Sequence, residues 1–375
     1  MTSMKTSRLF RYKTIFTLLA ILVFIIPVKA QNFREKGHLP LFLNECSGIS
    51  KIGIDSFLVH NDSGNSSEIY LIDSNAVFIK KYFINASNID WESITTDNQK
   101  NIYIGDFGNN ANDRNDLRIL KLSYAALNND SITPEIIQFN YENQTSFPPS
   151  AIGLNFDAEA FIHYQNNLYI FSKNRTNPFT GVTYCHKISD IPGSHTTILI
   201  DSFDTQETTI FKGWVTDASI YQNKLALLTS DKFWIFDISN EHFFQNTPIV
   251  YQLYNNTQKE GICFYDINNI YITDEVNSVL GGGKLYQYKF SNSTTFLEEE
   301  NTAFDIKLTN NKIEILKLSN ETSCSIFIET LDGKVVYSGT FLNNSFELDM
   351  QPNQTYIVNI ISKDKSIYKK IVAFY

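Results

Sequence analysis

Five copies of one short pattern run through the first 290 residues of this 375-residue chain. Each copy has an acid or small polar residue, a short apolar run, a polar turn, a second apolar run and a polar loop. Ser47-Gly-Ile-Ser leads to Ser56-Phe-Leu-Val-His60-Asn-Asp62, and Asp90-Trp-Glu92-Ser-Ile leads to Asn101-Ile-Tyr-Ile-Gly-Asp106. Asp157-Ala-Glu159-Ala-Phe leads to Asn167-Leu-Tyr-Ile-Phe-Ser-Lys173, and Asp217-Ala-Ser-Ile to Lys224-Leu-Ala-Leu-Leu-Thr229. Glu260-Gly-Ile-Cys-Phe leads to Asn269-Ile-Tyr-Ile-Thr-Asp274-Glu275. One such unit cannot bury its apolar faces alone, so the copies must pack on one another.

The copies start near residues 47, 92, 159, 217 and 260. That spacing suits β-propeller blades carrying insertions. A third strand follows each pair: Glu68–Asp73, Leu117–Leu122, Thr183–Ile188, Phe233–Asp237 and Lys284–Phe290. Val77–Ile84 and Ile136–Tyr141 read as fourth strands, and residues 33–43 can supply the edge strand that the last copy lacks. The expected fold is all-β: a five-bladed propeller, or a six-bladed one if a degenerate copy sits in the insertions. The 29 Phe and 20 Tyr suit half-buried pleated surfaces.

Residues 1–30 read as an export signal. Lys5, Arg8, Arg11 and Lys13 precede an apolar stretch from Thr14 to Val28, then Val28-Lys29-Ala30. The stretch is shorter than the roughly 20 residues a spanning helix needs, so cleavage is expected and no membrane segment remains. Cleavage removes five Lys/Arg and no acid, which lowers the net charge from −9 by five, to −14. Such a surface repels nucleic acid.

Four cysteines occur, Cys46, Cys185, Cys263 and Cys324, none in a Cys-x-x-Cys pair. An exported chain permits disulfides, but these read more readily as buried free thiols. Asn-x-Ser/Thr triplets at Asn65, Asn85 and Asn143 are chance products of an Asn-rich chain and carry no functional weight.

Propeller topology puts the loop entering each first strand and the loop leaving each second strand on one face. Those loops hold the charge: His60 and Asp62; Asp90, Glu92, Asp106 and Asn109; Asp157, Glu159, Lys173 and Arg175; Asp217; Glu260, Asp274 and Glu275. The opposite hairpins, such as Asp97–Lys100 and Asp266–Asn269, are bland. Crowded carboxylates repel unless a cation, a base or shared protons relieve them. Oxygen ligands of this kind suit Ca2+, the one cofactor the sequence points to. Glu92, Glu159, Asp217 and Glu260 have a second reading, as staples to backbone N–H groups of the next blade. His60 reads as a structural hydrogen-bonder or a base, and Trp91 and Trp214 as packing. No Gly-x-Ser-x-Gly or His-Glu-x-x-His motif occurs.

Residues 293–302 read as a polar linker, dividing a propeller at 31–292 from a domain at 303–375. The latter shows short alternating strands and an Asp332-Gly333 turn, which suggests a small Ig-like β-sandwich.

Two resemblances follow from these residues. Asp90-Trp-Glu92, Asp157-Ala-Glu159 and Glu260-Gly-Ile, with their Asn-x-Tyr-Ile strands, resemble the propellers of β-propeller phytases and their esterase-like relatives. Ile328–Tyr337 with Gly333 and Lys334, Tyr356–Ile360, and Lys369-Lys370 resemble the type A sorting domain of the type IX secretion system. That resemblance implies recognition by outer-membrane secretion machinery. It also implies release, or display on the outer surface, of a double-membrane bacterium by way of the periplasm. Two readings of the propeller stay open. One is binding of a small-molecule, glycan or protein ligand at the acidic mouth. The other is Ca2+-dependent hydrolysis of phosphate or other esters, with Lys173 and Arg175 holding the anion.

Overall fold

The computed structural model describes residues 32–290, 304–309, 312–317, 324–330, 334–341, 345–351, 354–362 and 367–374. The expected export signal at 1–30, the linker at 293–302 and Gly333 lie outside the described residues. No described helix is long and apolar enough to cross a membrane.

The described chain is almost entirely β and folds as a β-propeller. A strand β1 (Phe33–His38) precedes the first repeat. Unit one is β2 (Cys46–Gly53), β3 (Ser56–Asn61), β4 (Glu68–Ile72) and β5 (Phe78–Ile84). Unit two is β6 (Trp91–Thr96), β7 (Ile102–Asp106), β8 (Arg118–Leu122) and, after a short β9 (Ser131–Ile132) that joins the edge of unit one, β10 (Glu135–Tyr141). Unit three is β11 (Asp157–Tyr164), β12 (Asn167–Lys173), β13 (Val182–Ser189) and β14 (Gly193–Asp204). Unit four is β15 (Asp217–Tyr221), β16 (Lys224–Leu228), β17 (Lys232–Asp237) and β18 (Ile249–Gln252). Unit five is β19 (Lys259–Asp266), β20 (Asn269–Asp274) and β21 (Lys284–Lys289), completed by β1. The edge strand expected within residues 33–43 thus pairs antiparallel with β21, from Phe33↔Tyr288 to His38↔Lys284.

The first strands of the units stand side by side in a closed order: β2, β6, β11, β15, β19 and back to β2. Five hydrophobic clusters fill the five junctions between units. The repeated Asn-x-Tyr-Ile sequence explains how. Side chains alternate faces along a strand, and a strand in the middle of a unit buries both. Ile102 and Ile104 enter the junction with unit one, while Tyr103 enters the junction with unit three. Leu168 and Ile170 likewise face unit two and Tyr169 faces unit four. Ile270 and Ile272 face unit four, and Tyr271 faces unit one. The Asn closes the hairpin below: Asn101 Nδ2 donates to Asp97 at 2.7 Å and Asn269 Nδ2 to Asp266 at 2.9 Å.

Cys46, Cys185 and Cys263 are buried free thiols. Burial pushes the Cys46 and Cys263 thiols up to about 12, which keeps them protonated and unreactive.

Beyond residue 303 the described strands form two sheets, of three and four strands. Ile313 and Ile315 of one pack against Ile326, Ile328, Tyr356, Val358 and Ile360 of the other in a single core. Tyr356 is therefore a core residue, and Gln351 N donates to its hydroxyl at 3.3 Å. Lys334 is exposed, with its carbonyl accepting from Thr330 N at 2.9 Å. Lys369 and Lys370 lie in the last strand, Ile367–Phe374, opposite Asn359 and Val358.

Candidate functional site

Register fixes which end of the ring carries the charge. Trp91 pairs with Asp106, Asp157 with Lys173, Asp217 with Leu228, Lys259 with Asp274 and Cys46 with Asn61. The start of each first strand therefore lies beside the end of each second strand, at one mouth. The hairpins lie at the other end, where Thr96 pairs with Ile102 and Tyr164 with Asn167.

Four of the five first strands open with a break in register, between Cys46 and Gly48, Trp91 and Ser93, Ala158 and Ala160, and Lys259 and Gly261. The skipped residues are Ser47, Glu92, Glu159 and Glu260. A bulge of this kind re-aims the extra side chain and is common beside functional sites. Strand β15 has no such break.

The acids at this end consequently fall into two sets. Asp217, on the regular strand, reaches across the ring: its carboxylate accepts from Ser93 Oγ of unit two at 2.6 Å and from Ile262 N of unit five at 2.7 Å. Asp157 accepts from Asn109 N at 2.6 Å and pairs with Arg175 at 2.7 Å. Asp106 pairs with Arg118 at 2.8 Å and Arg114 at 3.4 Å. Asp274 accepts from Lys284 N at 2.8 Å and Tyr286 OH at 2.9 Å, and faces the buried Lys259 at 3.6 Å. Asn109 is buried, with Nδ2 donating to Phe156 O at 3.2 Å and Oδ1 accepting from Arg114 N at 2.9 Å. These groups fasten loops and units to one another.

The second set is Asp62, Asp90, Glu92, Glu159, Glu260 and Glu275. Glu92, Glu159 and Glu260 are 4%, 3% and 6% exposed. Lys173 lies among them, 2.9 Å from Glu159. Burial works against its charge, but Glu159, Glu260 and Glu92 outweigh that and hold the ammonium well above its ordinary value. Burial, with repulsion from Asp157 and Glu260 against the pull of Lys173, lifts Glu159 to about 8. Burial and Glu260 lift Glu275 to about 7; burial and Asp62 lift Asp90 to about 6. Burial and repulsion from Glu159 raise Glu92 well above the carboxylate range. The mouth holds more carboxyls than cations, and the surplus shares protons near neutrality.

Arg175 pairs with Asp157 at 2.7 Å and Glu159 at 3.5 Å and lies over the Trp214 ring at 4.4 Å, with Lys173 over the same ring at 5.2 Å. Both cations are thus engaged by carboxylates of unit three and by the ring of Trp214, and Arg175 also donates to Asn110 of unit two. His60 is fully buried, with Nδ1 on Asn61 O at 3.0 Å and its ring edge-on to Trp91. Burial lowers it to about 4, so it is neutral and structural in its surroundings.

Among the expected residues, the structure brings the ligand oxygens of Asp62, Asp90 and Glu92 within 4.8 Å of one another. Neither Glu275 nor His60 joins that group. Sequence reasoning missed Arg114, Arg118 and Lys259. The signal for two of them was positional: Arg118 stands opposite Asp106, and Lys259 opposite Asp274, in adjacent strands.

No family model matches the chain, and no curated protein matches it. Among solved structures it is similar to PorZ, a surface component of the type IX secretion system of Porphyromonas gingivalis. Identity is 12% and the TM-score 0.34, over 88% of this chain and 45% of that one, so the chain spans less than half of PorZ. The PQQ-bound aldose sugar dehydrogenase of Streptomyces coelicolor gives 9% identity and a TM-score of 0.40, over 68% of this chain and 96% of that one. The glutaminyl cyclase of Myxococcus xanthus gives 10% and 0.39, over 68% and 93%. Likenesses of this degree carry no argument about ligand or activity. The propeller reading rests on the chain's own topology.

Proposed function

We propose that the protein is an exported five-bladed β-propeller that binds its ligand at the acidic mouth. We further propose that the C-terminal Ig-like sandwich is a sorting domain read by outer-membrane secretion machinery. Each four-stranded unit is one blade, and β1 closes the ring. The observation that carries the binding reading is the projection of Glu92, Glu159 and Glu260 by bulges of three blades around Lys173. Buried ionisable groups that converge on one mouth and perturb one another mark a candidate functional site.

Binding is favoured over ester hydrolysis by the state of the two cations. A hydrolase of anionic esters needs Lys173 and Arg175 free for the anion, and both are committed to carboxylates. The test is capture of glycans and peptides on arrays by the mature chain. A ligand retained by wild type and by Asp266→Asn, but lost by Glu159→Gln/Glu260→Gln, supports the mouth. Equal capture by all three overturns it. Deleting residues 303–375 in the native host should leave the propeller in the periplasm; normal surface display of the truncated chain removes the sorting assignment.

A further inference from the structure

We infer that a cleft between units two and three, away from the ring's axis, binds an uncharged sugar of one or two rings. It is separate from the acidic mouth and does not rest on the reading above. Its walls are the connection from β10 to β11, residues 142–156, and the connection from β12 to β13, residues 174–181. Val182 and Tyr184 of β13 line it between them. The space is about 370 Å3, within the roughly 300–1,000 Å3 that small-molecule sites occupy.

The fold holds this cleft in shape. The outer strands β10 and β14 pair in parallel, from Ile137↔Gly193 to Tyr141↔Thr197, so units two and three share one eight-stranded sheet. Arg175 N donates to Leu154 O at 2.8 Å and Asn177 N to Ala151 O at 2.9 Å, which ties one wall to the other. Asn155 Nδ2 donates to Val182 O at 2.9 Å, and its Oδ1 accepts from Ser172 Oγ at 2.7 Å. Walls fixed in advance lose little freedom when a ligand enters.

The lining selects the ligand. None of the residues around the cleft carries a charge, although the chain's net charge is −9. An anion is repelled by the whole chain and finds no cation here, and a cation is drawn to the mouth acids instead. Asn143, Thr145 and Tyr184 offer an amide, a hydroxyl and a phenol that make no hydrogen bond among the described residues. Phe156 and the half-buried Tyr184 add aromatic faces. A pyranose has an apolar C–H face for such rings, and hydroxyls that both donate and accept for the amide and the hydroxyls. Behind the two rings lie Tyr141, 5.3 Å from Phe156, and His186, 6.2 Å from Tyr184, between ring centres. Tyr141 Oη and His186 Nε2 are buried without a hydrogen-bond partner, a state that calls for a water or a ligand. Burial lowers His186 to about 4, so the ground behind the cleft is uncharged as well.

The test is calorimetric titration of cellobiose, maltose, lactose and N,N′-diacetylchitobiose into the mature full-length protein, with digalacturonate as the charged comparison. At least one of the neutral sugars should saturate a single site, with Kd on the order of 1 mM or tighter. Tyr184→Ala should weaken that sugar at least about tenfold. Asn143→Ala should weaken it about threefold or more, from an exposed loop position where folding is not at stake. Glu159→Gln/Glu260→Gln and Asp266→Asn should bind it as wild type does. The inference is overturned if no neutral sugar saturates, if digalacturonate binds more tightly than all of them, or if affinity is unchanged in either Tyr184→Ala or Asn143→Ala. A loss in Glu159→Gln/Glu260→Gln as large as that in Tyr184→Ala also overturns it, because the sugar then sits at the mouth.

Discussion

Asp217 and Glu159 occupy comparable places at the starts of two first strands, yet they do opposite things. Asp217 sits on an unbroken strand and ties Ser93 to Ile262 across the ring. Glu159 sits in a bulge, and its carboxylate turns to the mouth and to Lys173. Asp157, the first residue of that bulged strand, still fastens neighbouring groups, and the extra residue adds Glu159 beside it as an acid turned to the mouth. The lesson is local: the residue type is similar in both, and the backbone decides its use.

The sharpest way to break that contrast is Asp217→Ala. It strips the partner from a buried hydroxyl and a buried N–H at once, and the expected cost is about 2–5 kcal/mol in urea unfolding. A cost under about 1 kcal/mol would show that Asp217 is no staple. Next is Asp106→Ala, which leaves Arg114 and Arg118 without their shared carboxylate; about 2–3 kcal/mol is expected on the same measurement. By contrast, Glu159→Gln should change stability by less than about 1 kcal/mol, because it removes both a favourable pair with Lys173 and the repulsion from Asp157 and Glu260. A loss as large as that of Asp217→Ala would merge the two sets of acids.

A pH series sharpens the same comparison. Glu275 is lifted to about 7 from 4.5, and Asp90 to about 6 from 3.8. Between those limits the folded chain holds protons that the unfolded chain has released. The stability these two groups contribute is therefore fully present below about pH 4, and it is lost as pH rises through about 6 and 7. In EDTA, the melting temperature should be higher at pH 5 than at pH 8 by roughly 2–4 °C per kcal/mol gained. Glu275→Gln should flatten that slope. A rising slope would mean that the mouth acids are ionised throughout. The smallest effect is expected at the opposite end, where Asp97→Asn weakens one turn and the acceptor of Asn101 N by about 0.5–1 kcal/mol and leaves ligand capture untouched.

Much of the fold was legible because the repeat encodes its own packing. Once Ile102, Tyr103 and Ile104 alternate between two apolar junctions, a unit buried on both sides is the only way to hide them. The third strands followed from the same periodicity, and a closing strand within residues 33–43 from the last copy's want of an edge strand; it lies at Phe33–His38. The outer strands β14 and β18 were not legible. Their burial is partial and irregular, so no clean alternation marks them. At the mouth, the rim could be read from loop positions, but the division between staples and free acids could not. A bulge has no residue signature of its own: Asp217-Ala-Ser and Asp157-Ala-Glu159 look alike until the register is known. The convergence of Asp62 with Asp90 and Glu92, rather than with Glu275, likewise depends on where two loops meet in space.

The pairing of β1 with β21 also has a consequence in time. It joins Phe33 to Tyr288, the two ends of the propeller sequence. A chain that emerges amino end first must carry β1 as an unpaired strand until almost the whole ring has followed. Contacts between such distant residues form slowly, since the loop between them must close before they are rewarded. Until then the fifth unit has three strands, and the aromatic contact of Phe33 with Tyr286 is unmade. The last latch of the ring is thus set by the first segment to appear.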